Sequence, residues 1–380
     1  MNTKKLFIGL LTIITILILS SCEKEKTDEQ DDYGILPERF KVDIPSSMSR
    51  TTQNNSTTKS ANDEGLSGNE IYAHLNTFIA IGEGAADLVE DIIRAIVIHK
   101  IDRVKQVTFV SDDDGRIKNL VVESDVKFAG RPWEYMLTVT DIESEGNKDG
   151  GIGMQVFWNK SPIEGIAILK PYNIDRTNNE FSGDAKFSIE YSEKGMDKYE
   201  AYMTVSITDL PIADNDTNLF AINALKMFVG KDGNIIDVYG NSNHPNAKLY
   251  TENVGFNWVF VASGKDAEDI AVAEVGFPPS SLNETRRSVL LEDYAIKSVL
   301  TEEMTAAILA EYPTADPATI ALLVEPYLEN ADAPGYFNNG GFIQGGTAPN
   351  SEYSELETNI ETLTPYNPKD ISELTIDFME

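Results

Sequence analysis

Val107-Thr108-Phe109-Val110, then Ser111-Asp112-Asp113-Asp114-Gly115-Arg116, then Ile117-Lys118-Asn119-Leu120-Val121-Val122 read as strand, turn and strand. β-Branched and aromatic residues fill the outer runs, and an Asp-Gly pair sits between them, as a hairpin turn requires. Working outward, short β-rich runs recur at 133–142, 153–158, 163–169, 185–191 and 199–207. A second hairpin places Lys231-Asp232-Gly233-Asn234 between 225–229 and 235–239, and runs at 256–262 and 270–275 close the series. About ten to eleven strands with short connections predict sequential antiparallel pairing, a β-meander. So long a meander is expected to curl or to become barrel-like, because open strand edges invite association. The two hairpins share Phe-Val before the turn and Asp-Gly within it, but the pieces around them come in different orders. The likeness is one of turn chemistry, not of duplication.

Before the strands lies a helix. Ser67-Gly68-Asn69-Glu70 has the form of a capping box, and Ile71, Leu75, Phe78, Ile79, Leu88, Val89, Ile92, Ile93 and Ile96 recur at helical spacing. Gly82 and Gly84 permit a kink or close packing. The end of this helix, 92–98, is apolar on most sides and so must be covered. The fold class is therefore α+β, with an N-terminal helix packed on a long antiparallel β-meander and a small C-terminal helical segment behind it.

That last segment begins after Pro278-Pro279. Ser281-Leu282-Asn283-Glu284 again has the capping-box form and predicts a helix to about Leu300. Thr301 is expected to cap a second helix ending before Pro313. Asp316-Pro317 opens a third, which ends or bends at Pro326. A glycine-rich loop, 335–346, carries Tyr336, Phe337 and Phe342, and the acidic tail is expected to hold one closing strand at Leu374–Phe378.

The first residues form a targeting segment. Lys4 and Lys5 precede an apolar run from Leu6 to Leu19, shorter than the roughly 20 residues of a bilayer span but suited to an export signal. Leu19-Ser20-Ser21-Cys22 follows, and it resembles the lipobox of bacterial lipoprotein precursors. The resemblance covers only about the first 22 residues. It implies cleavage between Ser21 and Cys22, and lipid on the Cys22 thiol and on the new amino group. Two or more acyl chains anchor stably where one is marginal. Glu23-Lys24-Glu25-Lys26-Thr27-Asp28-Glu29-Gln30-Asp31-Asp32 is similar to the acidic export tags of Bacteroidota surface lipoproteins, and it reads equally as a solvated tether. The expected location is the outer membrane, lipid-anchored and exposed at the cell surface. The expected organisation is a signal peptide at 1–21, a flexible tether at 22–62, a helix-plus-meander body at 63–277, a helical segment at 278–334, and a glycine-rich loop with acidic tail at 335–380.

Composition removes several chemistries. Cys22 is the one cysteine, so a lipidated chain has no disulfide, thiolate metal site or cysteine nucleophile. With 31 basic against 62 acidic residues, the net charge of −31 opposes binding to nucleic acid or anionic lipid headgroups. His74, His99 and His244 are scattered, and only Glu70 with His74 has a metal-pair spacing. Their plainer roles are hydrogen bonding and capping. No nucleophile elbow, Walker loop or dinucleotide fingerprint occurs, and no cofactor is expected. Asp214-Asn215-Asp216 begins like a calcium loop, but Leu219 and Leu225 stand where glycine and glutamate belong. Paired carboxylates for glycoside hydrolysis need a cleft that a sequence does not display.

What remains is an aromatic loop and an anchor. Tyr336, Phe337 and Phe342 either meet sugars, peptides or partners, or fold back over the end of the sheet. A curled meander over a helix is similar in outline to the half-barrels of bacterial lipoprotein carriers and lipid-binding lipoproteins. The leading expectation is a non-enzymatic binding module for an apolar small molecule, glycan or peptide, with the membrane met through the N-terminal lipid. The alternatives are an envelope structural or protein-interaction lipoprotein and a surface hydrolase. A continuous apolar cavity under the helix would favour the first, a filled core with an exposed apolar patch the second, and a cleft with convergent acids the third.

Overall fold

A computed structural model describes residues 35–37, 39–49, 68–97, 105–144, 146, 149–179, 183–212, 221–247, 249 and 255–379. Thirteen strands follow one another in strict sequence order, each antiparallel to the next wherever register is described. The meander is therefore present and longer than its sequence signal. Among the described residues its order ends at the first and the thirteenth strand, which do not pair with one another, so the sheet is unclosed. By contacts the chain divides into two compact units, Met1–Val42 with Gly84–Asn218 and Thr375–Glu380, and Asp43–Glu83 with Leu219–Leu374. The division falls inside the long helix, α2 (Gly68–Val97), whose length matches the sequence expectation.

The first unit holds β1 (Gln106–Val110), β2 (Ile117–Phe128), β3 (Arg131–Asp141), β4 (Ile152–Lys160), β5 (Ile163–Leu169), β6 (Lys186–Ser192) and β7 (Ala201–Thr208). Register places Leu120, Val139, Met154, Leu169, Phe187 and Ile207 across one face. Phe40 packs on that face. It lies 6.2 Å from the Tyr191 ring, and a Cβ at Gly165 would come within 2.5 Å of its Cζ. The Trp158 indole donates to the Ile35 carbonyl at 2.7 Å, and Phe40 N donates to Glu90 Oε1 on α2 at 2.7 Å. The tether expected over 22–62 is thus packed where it is described. Alternation in Phe40-Lys41-Val42-Asp43-Ile44 buries every second side chain, although no strand forms. The opposite face carries Trp133, Met136, Phe157, Ile166 and Ile168, and is covered by Ile376, Phe378 and Met379. The expected closing strand at 374–378 is instead an irregular segment, held by hydrogen bonds in both directions between Gln155 and the Met379 backbone.

The second unit holds β8 (Ala224–Asp232), β9 (Ile235–His244), β10 (Phe256–Lys265), β11 (Ile270–Gly276), β12 (Gly335–Asn338) and β13 (Gly341–Gly345). Two layers cover its sheet. The start of α2 packs on one face, where Phe78 meets Trp258 edge-on at 4.8 Å and Tyr72 stacks on Phe342 at 4.9 Å. Gly82 permits this approach, since a Cβ there would sit 2.4 Å from Met227 Cε. On the other face Val259, Val261, Val272 and Tyr336 pack against Tyr353, Leu356, Ile360 and Leu363. A polar row secures the same layer: Asn241 exchanges hydrogen bonds with the Tyr366 backbone, and Asp237 accepts from Ser263 Oγ at 2.8 Å and from Asn359. A short helix, α1 (Ser46–Ser49), is tied to the β10–β11 turn by Asp269, which accepts from Ser46 Oγ and Ser47 N at 2.7 Å each.

The C-terminal helices differ from expectation at their starts. Residues 282–286 are irregular, so no helix starts at Ser281. Glu284 instead accepts from the Thr285 and Arg286 amides and the Arg286 side chain, holding its carboxyl down at about 2. A π-helical turn, Val289–Asp293, comes next, and a single helix α4 (Ile296–Glu311) runs through Thr301, whose hydroxyl donates to the Lys297 carbonyl one turn earlier. A one-turn helix in the first unit, Pro171–Ile174, is α3. The expected N-cap of the third helix is present: Asp316 accepts from the Ala318 and Thr319 amides and opens α5 (Pro317–Val324).

Candidate functional site

Ser21, Cys22, His99 and the loop Asp214–Asn218 lie outside the described residues. Tyr336 and Phe337 do not form an open loop. Both belong to β12, on opposite faces, and are 1% and 2% exposed. The Tyr336 hydroxyl donates to Glu357 Oε1 at 2.5 Å, while Phe337 and Phe342 close on Tyr72. Strand pairing with β11 explains this, since glycines 335 and 341 serve tight packing and a turn rather than mobility. Tyr336 and Phe337 are therefore core, while Phe342 is half-buried against Tyr72.

Of the two described histidines, His244 is buried and His74 is partly so. Burial pushes the His74 imidazole below its usual value, with Glu70 opposing, and His244 Nε2 lies 2.8 Å from Ser242 Oγ inside the sheet. Among the described residues no group of three His, Cys, Asp or Glu side chains is placed to hold a metal. The most concentrated charges form a buried cluster in the first unit. Lys118 Nζ lies 3.0 Å from Asp114 and 3.4 Å from Asp141, and Arg116 and Arg176 also reach Asp141. Lys118 and Arg116 donate to acceptors of the fold itself, and Lys118 ties β2 to α3 through the Asn173 carbonyl at 3.0 Å.

The surface offers something different. Of the eight large apolar side chains exposed among the described residues, five lie between 309 and 327. Leu322 is 70% exposed, Tyr312 57% and Leu323 51%, joined by Leu309 and Tyr327. All belong to the helical hairpin made by α4 and α5 and its 3₁₀ continuation Glu325–Tyr327. A shallow, open strip of surface runs along α4, lined by Lys297, Ser298, Thr301, Glu302, Thr305 and Ala306 and ending at Leu309. Small residues three and four apart leave such a strip, and the ridge of another helix packs on it. Glu302, Glu303, Glu311, Asp316, Glu325 and Glu329 surround these residues, and Lys297 is paired with Asp332 at 2.8 Å.

No family model, curated protein or solved structure matches the chain. The geometry of the hairpin therefore carries the functional reading by itself. The sequence contained its signal, Ile320-Ala321-Leu322-Leu323-Val324, but so apolar a run predicts burial. What the sequence does not show is that only Ile320 and Val324 turn inward. No helix among the described residues is long and apolar enough to cross a membrane.

Proposed function

We propose that this chain is a lipid-anchored envelope protein, held at the outer membrane through Cys22, whose body is a non-enzymatic protein-interaction module. The observation that carries the reading is the exposed apolar hairpin, with Leu322, Leu323 and Tyr312 in water on an otherwise well-packed unit. Several large apolar side chains exposed within one helical hairpin favour an interaction site. The partner element is a helix with an apolar face and basic flanks. A ridge of side chains suits the strip along α4, and the acids around it select lysine and arginine.

Binding of an apolar molecule between helix and sheet has less support. Gly82, Gly240 and Gly335 each bring side chains or backbone closer than a Cβ would allow, so that space is filled in the second unit. A photo-crosslinking residue placed at Leu322 or Thr305 in intact cells tests the proposal. One defined partner segment, basic and helical, is expected to be captured at both positions and lost in 0.5 M salt or in Leu323→Glu. Equal capture from the control position Asp112 would overturn it.

A further inference from the structure

A second feature of the same unit borders the hairpin, since Val299, Glu302 and Glu303 of α4 also line it. Phe277 follows β11 directly, and its amide donates to the Tyr294 carbonyl at 2.9 Å. Between them the chain makes the π-helical turn Val289–Asp293, with Tyr294 N donating to the Val289 carbonyl at 3.2 Å. π-Turns recur at functional sites, because one extra residue re-aims the side chains that follow. Here the turn lies hard against β11: a Cβ at Gly276 would stand 2.1 Å from the Leu290 carbonyl oxygen. The result is a cavity of 320 Å³. Phe256 and Phe277, both buried, have ring centroids 5.2 Å apart at 44° and make an aromatic corner. Tyr294 stands in the wall, and Asp293, Glu302 and Glu303 also line the space. No lysine, arginine or histidine lines it among the described residues.

We propose that this cavity binds a small organic cation, an ammonium group on an apolar body. Its volume lies within the roughly 300–1,000 Å³ of ordinary ligand pockets. Aromatic rings attract cations through their quadrupole and pack against methyl or methylene groups. The three carboxylates favour positive charge, and the net charge of −31 raises the local concentration of cations. An anion meets repulsion from those acids. A neutral apolar molecule gains the aromatic corner but nothing from the carboxylates. The feature therefore discriminates by charge as well as by shape.

The full chain is titrated calorimetrically with choline, with benzyltrimethylammonium and with 3,3-dimethylbutan-1-ol, the neutral isostere of choline. Both cations are expected to bind, and the alcohol about tenfold more weakly than choline. Asp293→Asn with Glu302→Gln should weaken both cations about three- to tenfold while leaving the alcohol and the melting temperature unchanged. Tyr294→Leu should weaken the cations more than the alcohol. Leu323→Glu, which disrupts the hairpin surface, should leave all three titrations unaltered, so this site and the docking surface fail or stand separately. Absence of cation binding, equal affinity for choline and the alcohol, or cation binding indifferent to Tyr294→Leu and to the carboxylate variants would each overturn the proposal.

Discussion

Arg116 holds Asp141 in a two-pronged ion pair, with Nε 2.7 Å from Oδ2 and Nη2 3.1 Å from Oδ1. Asp141 is fully buried, and Lys118 approaches the same carboxylate at 3.4 Å. Removing that carboxylate takes a charged partner from Lys118, which is 2% exposed, and from the partly exposed Arg116 and Arg176. Asp141→Asn keeps the shape and removes the charge, so three cations lose their common acceptor. A loss of about 3–5 kcal/mol is expected from denaturant unfolding of the full chain. Glu143→Gln, on the exposed rim of the cluster, should change stability by less than about 1 kcal/mol.

The same cluster and the Lys170–Asp149 pair, at 2.5 Å, set a pH dependence. Burial pushes the carboxyl groups of Asp141, Asp114 and Asp149 up. Hydrogen bonds and charge from Arg116, Lys118 and Lys170 outweigh this and hold all three below the usual carboxylate range. A group whose folded value is depressed stabilises the fold above its unfolded value of about 4 and loses that contribution as pH falls through the folded value. Glu90 and Glu274 act in the opposite sense, because burial raises both and their charged forms are disfavoured in the fold. Unfolding monitored from pH 6 to pH 2 should show stability falling below about pH 4. Asp149→Asn should flatten that limb. An unchanged acid limb in this variant would show that the Lys170 pair does not contribute.

How far the sequence led can be seen element by element. Asp114-Gly115 and Asp232-Gly233 located both hairpins, because an Asp-Gly turn between β-rich runs depends only on local conformation, and Gly115 and Gly233 do adopt positive φ. Asp316-Pro317 located α5 for the same reason. Tyr336 and Phe337 were misread because nothing local distinguishes a glycine-flanked loop from a short strand that receives its partner from β11, about sixty residues earlier. Ser281-Leu282-Asn283-Glu284 satisfied the capping pattern, yet Glu284 found Arg286 nearer than any serine amide. The candidate cavity was invisible, because Phe256, Phe277 and Tyr294 are brought together by pairing and by a π-turn that no spacing rule marks.

Leu322 and Leu323 provide a clean separation of docking from stability. Exposed positions remote from caps and cores usually change stability by less than about 0.5 kcal/mol, so Leu322→Glu and Leu323→Glu should leave the melting temperature nearly unchanged. Ile320 belongs to the same short helix but is buried. Ile320→Ala should cost about 2 kcal/mol or more. If all three variants destabilise alike, the helix is packed against something within the chain, and the proposed interaction surface falls.

Anchoring through Cys22 has its own test. Cys22→Ala removes the sole thiol that could carry lipid. The chain should then appear in the soluble fraction of fractionated cells, and mass spectrometry of the unaltered chain should find an acylated cysteine at its new N-terminus. Retention of Cys22→Ala in the membrane fraction would reject lipid anchoring at this residue.

The tail provides the last prediction. An acidic terminus with exposed Asp377 reads as solvated, yet Ile376 is buried among Trp133, Phe157 and Ile168. Gln155 fixes Met379 through both main-chain groups, at 2.7 and 3.1 Å, and Lys186 Nζ donates to the Ile376 carbonyl at 2.9 Å. Truncation after Leu374 exposes the apolar face of β3–β5 and strands the Gln155 amide beneath it. Loss of one buried isoleucine, two partly buried apolar side chains and three hydrogen bonds should destabilise the first unit by about 3–5 kcal/mol. Asp377→Asn should be neutral, and Ile376→Ala should account for about 2 kcal/mol of the truncation effect. Hydrogen exchange separates the two units in this experiment. Amides of β3, β4 and β5 should lose protection while those of β9 and β10 keep theirs, because the residues that cover β9 and β10 end before the cut.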